Sequence, residues 1–155
     1  MEKERLLQLL NAHCVEFVII GAAAFPIHGY ARATLDIDVF IRPDLENAQR
    51  AHAALAEFGY DLSELTPEEL LKNKVLIRQY VVALDVHPFV RGVEFTEVWD
   101  HRVMDRFGSV EVPFASLEDL IAMKRAAGRP KDVEDLRVLE RLAAGAPVEE
   151  EETAD

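Results

Sequence analysis

The sequence predicts an α+β fold: a mixed β-sheet with flanking helices and two further helices at the C-terminal end. Three observations lead there. Short β-branched runs appear at 16–21, 35–41 and 74–87, and the first ends in glycine. Apolar stripes at helical spacing lie before, between and after them. The order is α-β-α-β-α, then mostly strands, then two helices, which lacks the steady alternation of a doubly wound parallel sheet.

Leu6, Leu7, Leu10 and Cys14 fall on one helical stripe, so residues 2–13 are expected to form an amphipathic helix with Cys14 as a small core residue. The run "EFVIIG" (16–21) reads as a buried strand followed by a tight turn. "AAAFPIHGY" (22–30) predicts a short helix, with Pro26 near its first turn and Gly29 at its end. "LDIDVFI" (35–41) is the next strand. Pro43 and Asp44 stop it and open a helix over 45–58, whose inward stripe is Leu45, Ala48, Ala51, Leu55 and Phe58.

Thr66-Pro-Glu-Glu69 is a capping box at the start of a short helix. "KVLIRQYVVALDVH" (74–87) is long for one strand and is expected to fold back as a hairpin. "FTEVWDH" (95–101) predicts a short helix, and 102–114 a hairpin turning at Gly108-Ser109. Ser116 caps a helix to Ala127, closed by Gly128. Arg129-Pro130 starts the last helix, running to about Ala144 with Val133, Leu136, Leu139 and Ala143 facing inward. No repeat or linker is evident, so residues 1–144 are read as one domain and 145–155 as an acidic, solvated tail.

The chain has 155 residues, 17 Lys and Arg, and 29 Asp and Glu, for a net charge of −12. Broad binding to nucleic acid needs many cationic contacts to phosphate, and this balance opposes it. No apolar run approaches a membrane span, and the charged start does not resemble a signal peptide, so no membrane partner and a cytoplasmic location are expected. A single cysteine agrees with a reducing compartment.

Asp36 and Asp38 sit two residues apart on one strand, so they share a face, while Ile37 and Val39 point the other way. A rise of about 3.3 Å per residue starts the carboxylates roughly 6–7 Å apart. At an effective dielectric of about 20 they repel by on the order of 2–3 kcal/mol. Water alone relieves this on an exposed face. A divalent cation relieves it where the face is enclosed. Asp85, between Leu84 and Val86, offers a third carboxylate of the same kind. Convergence of three acids suits metal-assisted phosphoryl or nucleotidyl transfer. His87 shares the face of Asp85 and is read as a hydrogen-bonded neighbour rather than a ligand. "VIIGAAAF" adds a glycine turn at which backbone N–H groups can approach an anion.

Together these stretches resemble the nucleotidyltransferase fold of the DNA-polymerase-β type. Ile20-Gly21-Ala22, then Asp36-Ile37-Asp38-Val39, then Asp85 follow that superfamily's pattern. The run "HCVEFVIIGAAAFPIHGYARATLDIDVFI" and the C-terminal "VPFASLEDLIAMKRAAGRPKDVEDLRVLERL" are similar to small bacterial and archaeal members, including those of AbiE-type toxin–antitoxin systems. The resemblance implies that Asp36, Asp38 and Asp85 hold Mg²⁺ (or Mn²⁺), with Asp85 helping to activate the attacking hydroxyl. It places the triphosphate of an NTP substrate at Gly21 and Ala22. Arg32, Thr34 and Lys124 become candidates to contact nucleotide, against the alternative of surface or fold-supporting roles. Asp132 and Asp135 are read as structural, favouring the dipole of the helix they open. Ala22 departs from the pattern, which has Gly or Ser there.

The first functional expectation is therefore transfer of a nucleoside monophosphate from an NTP to a hydroxyl of a protein, an RNA end or a small molecule. The alternative is a catalytically impaired module of the same fold, acting as a partner in a toxin–antitoxin pair or another complex, with the partner encoded nearby. A sugar-nucleotide glycosyltransferase also uses Asp-x-Asp, but generally on a longer chain.

Overall fold

The computed structural model describes residues 2–33, 36–79 and 82–145. Thr34 and almost all of the acidic tail lie outside the described residues, as does the link at 80–81 inside the expected hairpin.

Among the described residues, six strands form one sheet: β1 (Phe17–Ile20), β2 (Asp36–Ile41), β3 (Val75–Ile77), β4 (Ala83–His87), β5 (Val103–Phe107) and β6 (Val110–Phe114). Their spatial order is β3-β4-β2-β1-β6-β5. The sheet is mixed, as expected. β2 runs antiparallel to β1 and parallel to β4, and β1 runs parallel to β6. The 74–87 run is indeed two antiparallel strands, β3 and β4. Among the described residues, five α-helices accompany the sheet: α1 (Glu2–Ala12), α2 (Leu45–Phe58), α3 (Phe95–Asp100), α4 (Leu117–Ala127) and α5 (Val133–Ala143).

Capping residues fix several of these boundaries. Asp44 accepts a hydrogen bond from the Asn47 N–H at the start of α2, and Ser116 accepts one from the Asp119 N–H at the start of α4. Thr66 and Glu69 form the reciprocal capping box, although the segment they open (Pro67–Leu71) is a 3₁₀ helix.

Residues 22–30 depart from the predicted helix. They form two 3₁₀ turns, Gly21–Ala24 and Pro26–His28. Pro26 has no N–H to return to Ala22. The first turn closes instead through Phe25 N–H to Ala22 O at 3.2 Å, and a new turn begins at the proline. The last helix likewise opens with a 3₁₀ turn at Pro130–Asp132 before α5.

Four apolar assignments are corrected. Cys14 is exposed, with φ of +59°. It ends α1 in a Schellman arrangement: Val15 N–H bonds to Leu10 O at 3.0 Å and Cys14 N–H to Asn11 O at 2.9 Å. A left-handed residue at a helix end points its side chain away from the stripe that precedes it. Leu45 is also exposed, because it opens α2 before the helix reaches the core. On α5, Val133 is 66% exposed and Ala143 is exposed too, while the buried side chains are Asp135, Val138 and Leu139. The inward face is thus rotated to include a carboxylate that an apolar stripe could not reveal.

The core is one cluster that includes Leu6, Leu7, Phe17, Ile37, Val39, Ala51, Leu84 and Val86. Ile37, Val39, Leu84 and Val86 project from the sheet face opposite to the acids. A buried amide ties the strands together below the site. Asn47 accepts from Glu16 N–H at 2.8 Å, and its Nδ2 donates to Glu16 O and Arg42 O, each at 3.0 Å. The start of β1 and the end of β2 are therefore clamped to the first turn of α2.

Candidate metal and nucleotide site

Strand register brings the central acids together. Asp38 of β2 lies directly beside Asp85 of the parallel strand β4, and beside Ile20 of β1 on its other flank. Neighbours in register point to the same face. Asp38, Asp85 and His87 each offer a ligand atom within 4.8 Å of the others. Asp85 is buried, and Asp36 and Asp38 are half-buried at the edge of a cleft. Asp36 lines the same cleft but falls outside that tight group.

The structure also shows what covers these carboxylates. His87 Nε2–H donates to Asp38 Oδ1 at 2.8 Å. This is the hydrogen-bonded role expected for His87, yet it sets the imidazole among the candidate ligands. Arg78, just beyond β3, reaches Asp85 Oδ1 with Nη1 at 2.5 Å, and its Nη2 lies 3.8 Å from Asp36 Oδ2. The hydrogen bond to Asp85 raises the Arg78 pKa further, with Asp36 and Asp38 adding to it.

Gly21 follows the residue that pairs with Asp38. Its φ is +71°, and a Cβ added there would stand 3.0 Å from Asp38 Oδ2. Glycine is thus needed for the backbone and for the approach of the carboxylate. Ala22, next along the turn, also lines the cleft.

The opposite wall comes from α4, α5 and the turn between them. Lys124 Nζ lies 2.8 Å from Asp132 Oδ1 and 3.6 Å from Asp135 Oδ2. Arg129 Nε donates to Asp132 Oδ2 at 2.7 Å. Arg32 Nε is 3.3 Å from Asp135 Oδ1, and the Tyr30 hydroxyl donates to the same oxygen at 2.8 Å. Both carboxylates are buried. Burial alone would raise the Asp132 pKa, but the hydrogen bonds and charges of Arg129 and Lys124 outweigh it and hold it down at about 2. Burial, and then the bond to Asp135, push the Tyr30 hydroxyl up to about 12. Asp132 and Asp135 therefore do more than favour a helix dipole: they line the cleft and anchor its wall of Arg32, Lys124 and Arg129.

The cleft between these walls has a volume of about 560 Å³. Among its lining residues are six cations, Arg32, Lys74, Arg78, Lys124, Arg129 and Lys131, in a protein of strongly negative net charge. Five aspartates, Asp36, Asp38, Asp85, Asp132 and Asp135, line the same cleft and pair with most of these cations, so the cleft is close to charge balance in a strongly acidic chain and repels a small anion less than the chain as a whole does. Of the predicted residues, Gly21, Ala22, Arg32, Asp36, Asp38, Asp85 and Lys124 all line the cleft. Thr34 lies outside the described residues.

Arg78, Arg129, Lys74 and Lys131 were not singled out from the sequence. For Arg78 a signal existed: Leu76 pairs with Asp85, so period-two alternation puts position 78 on the acids' face. That inference requires the hairpin register, which the sequence did not supply.

Could the residues hold a divalent ion? Two carboxylates and one imidazole make a mixed oxygen and nitrogen donor set. Oxygen ligands suit Mg²⁺, and the imidazole adds affinity for Mn²⁺ and later transition metals. The donors fit such an ion once His87 and Arg78 yield their present hydrogen bonds.

A mixed sheet carrying paired aspartates beside a glycine turn, backed by two C-terminal helices, defines a nucleotidyltransferase-fold domain. The chain belongs to the family described as "Nucleotidyltransferase of unknown function (DUF6036)", which it matches over residues 2–143. Among solved structures it is similar to a "putative nucleotidyltransferase (TM1012)" from Thermotoga maritima, with 17% identity, a TM-score of 0.59 and 86% of each chain covered. At that identity the likeness concerns the fold. No curated protein matches the chain. Among the described residues, no helix is long and apolar enough to cross a membrane.

Proposed function

We propose that this protein binds a nucleoside triphosphate with Mg²⁺ or Mn²⁺ and transfers its nucleoside monophosphate to a hydroxyl acceptor. The observation that carries the reading is the register pairing of Asp38 with Asp85 beside Gly21, with Asp36 on the same cleft wall. Asp36, Asp38 and Asp85 are the residues to hold the cation, with His87 adjacent. A bound divalent ion would supply charge neutralisation at the phosphates and acidify the acceptor hydroxyl. In the reaction, the acceptor oxygen bonds to the α-phosphorus, the bond from that phosphorus to the bridging oxygen breaks, and pyrophosphate leaves. The hydroxyl proton passes to a carboxylate, and Asp85, buried at the floor, is the candidate.

Gly21 and Ala22 present backbone to the phosphates. Lys124 is held by Asp132 and Asp135, so its charge is positioned but partly satisfied. The less committed cations of the cleft mouth, Lys74 and Lys131, supply the remaining attraction. The acceptor enters from the open side, supplied by a protein, an RNA end or a small molecule. The reading takes residues 1–144 as one cytoplasmic domain.

Calorimetry with each NTP in Mg²⁺ and in Mn²⁺ tests this. Wild type should release or absorb heat with at least one nucleotide, and Asp36→Asn and Asp38→Asn should abolish it. No heat with any NTP at millimolar concentration refutes the proposal.

A second reading, a catalytically impaired module working through a partner encoded nearby, as in AbiE-type toxin–antitoxin pairs, is favoured by Ala22 and by the Arg78 guanidinium on Asp85. A specific protein that co-purifies with wild type and equally with the triple Asp→Asn variant supports it. Added nucleotide mass on a co-expressed protein favours the enzyme instead.

A further inference from the structure

The Arg78 side chain occupies ground that a cation would contest. Its guanidinium fork faces Asp85 with one nitrogen, at 2.5 Å, and Asp36 with the other, at 3.8 Å. Asp85 is buried and Asp36 half-buried, yet Arg78 itself is nearly half exposed, with 47% of its side chain accessible. It is anchored to the acids only through its head group. Its other hydrogen bond among the described residues is a long one, Nη1 to Ile77 O at 3.4 Å. The stem is thus free to reorient while the acids stay fixed by the strands.

We propose that Arg78 couples cation loading to nucleotide binding, holding the acids when the cation is absent and contacting phosphate when it is bound. Without a divalent ion, its fork neutralises Asp36 and Asp85. An entering ion takes over those carboxylate oxygens and releases the guanidinium. The freed fork is planar, remains charged at any pH the protein meets, and suits bidentate contact with phosphate oxygens. It lines the same cleft as Lys74, so its release adds a cation to the phosphate side at the moment the acids are satisfied by metal. Two like charges, guanidinium and metal, cannot share the same pair of carboxylates without mutual repulsion. The consequence is reciprocal linkage: the bare metal binds against Arg78, and metal with nucleotide binds with it. This inference rests on the proposed metal and nucleotide site and adds the residue that connects its two halves.

The test measures Mn²⁺ binding to full-length protein by electron paramagnetic resonance, first without nucleotide and then with ATP. Arg78→Ala and Arg78→Lys are compared with wild type, and thermal melting confirms that both variants fold. Arg78→Ala should bind Mn²⁺ alone more tightly, by roughly twofold to fivefold, the scale of a partly exposed ion pair. The same variant should bind ATP in the presence of saturating Mn²⁺ at least fivefold more weakly, roughly one lost charge-assisted contact. Arg78→Lys, which keeps the charge but not the fork, should fall between wild type and Arg78→Ala in both measurements.

Equal Mn²⁺ affinity in wild type and Arg78→Ala overturns the competition while leaving the metal site intact. Tighter Mn²⁺ binding with unchanged ATP affinity overturns the transfer of the fork to phosphate. If neither wild type nor Arg78→Ala binds Mn²⁺ at millimolar concentration, the metal site itself fails, and this inference with it.

Discussion

Gly21→Ala is the substitution whose cost the structure allows to be worked out. Two penalties meet at this position. The backbone is left-handed, with φ of +71°, which costs an L-residue about 1–2 kcal/mol. The new methyl would also stand 3.0 Å from Asp38 Oδ2, so the carboxylate must retreat by a few tenths of an ångström. That retreat strains the 2.8 Å bond from His87, an interaction of about 0.5–1.5 kcal/mol. Together the loss is about 1.5–3.5 kcal/mol, or roughly 3–14 °C in melting temperature for a chain of this size. Gly128→Ala is the control. Its φ is +61°, but an added Cβ meets nothing nearer than Arg125 O at 3.8 Å, so it carries the backbone penalty alone. Urea denaturation of both variants, with Mn²⁺ titration of each, separates the terms. Gly21→Ala should be the less stable and should bind Mn²⁺ more weakly than wild type, whereas Gly128→Ala should leave Mn²⁺ binding unchanged. If the two variants lose equal stability and both keep wild-type metal affinity, the contact between Gly21 and Asp38 does not constrain the site.

Two further substitutions test the supporting structure. Asp132 stays ionised in the folded protein down to about pH 2, whereas an unfolded aspartate titrates near 3.8. A depressed folded value means the stabilisation is complete above the unfolded value and disappears as pH falls from about 4 towards 2, an effect on the order of 2 kcal/mol. Asp132→Asn should therefore be less stable than wild type at pH 6, with the gap narrowing by pH 2.5 in chemical denaturation; a constant gap would mean the carboxylate's charge is not what stabilises the wall. Cys14→Gly should stabilise the protein by about 0.5–1 kcal/mol, because Cys14 has φ of +59° and its side chain is exposed, so strain is relieved and no buried packing is lost. A fall in the urea midpoint would contradict that account of the helix end.

Local chemistry made much of this protein legible from the sequence. The capping residues Asp44, Thr66 and Ser116 act within one turn of themselves, so their roles could be read directly. The side-chain period of a strand put Asp36 and Asp38 on one face for the same reason. What the sequence could not supply was register between distant segments. Asp85 meets Asp38 only because β4 lies parallel to β2 at one particular offset, and a slip of one residue would have turned Asp85 to the core side. Arg78 reaches two of the acids through a hairpin whose alignment is a tertiary fact. Asp135 was legible only as a helix-opening acid favouring the dipole, and it is buried under Tyr30, Arg32 and Lys124, because partners from more than ten residues earlier in the chain compensate its desolvation. Composition, periodicity and caps thus determined the elements and the candidate acids. Their convergence, and the cations that answer them, were decided by long-range packing, whose energy depends on pairs of residues that no local window contains.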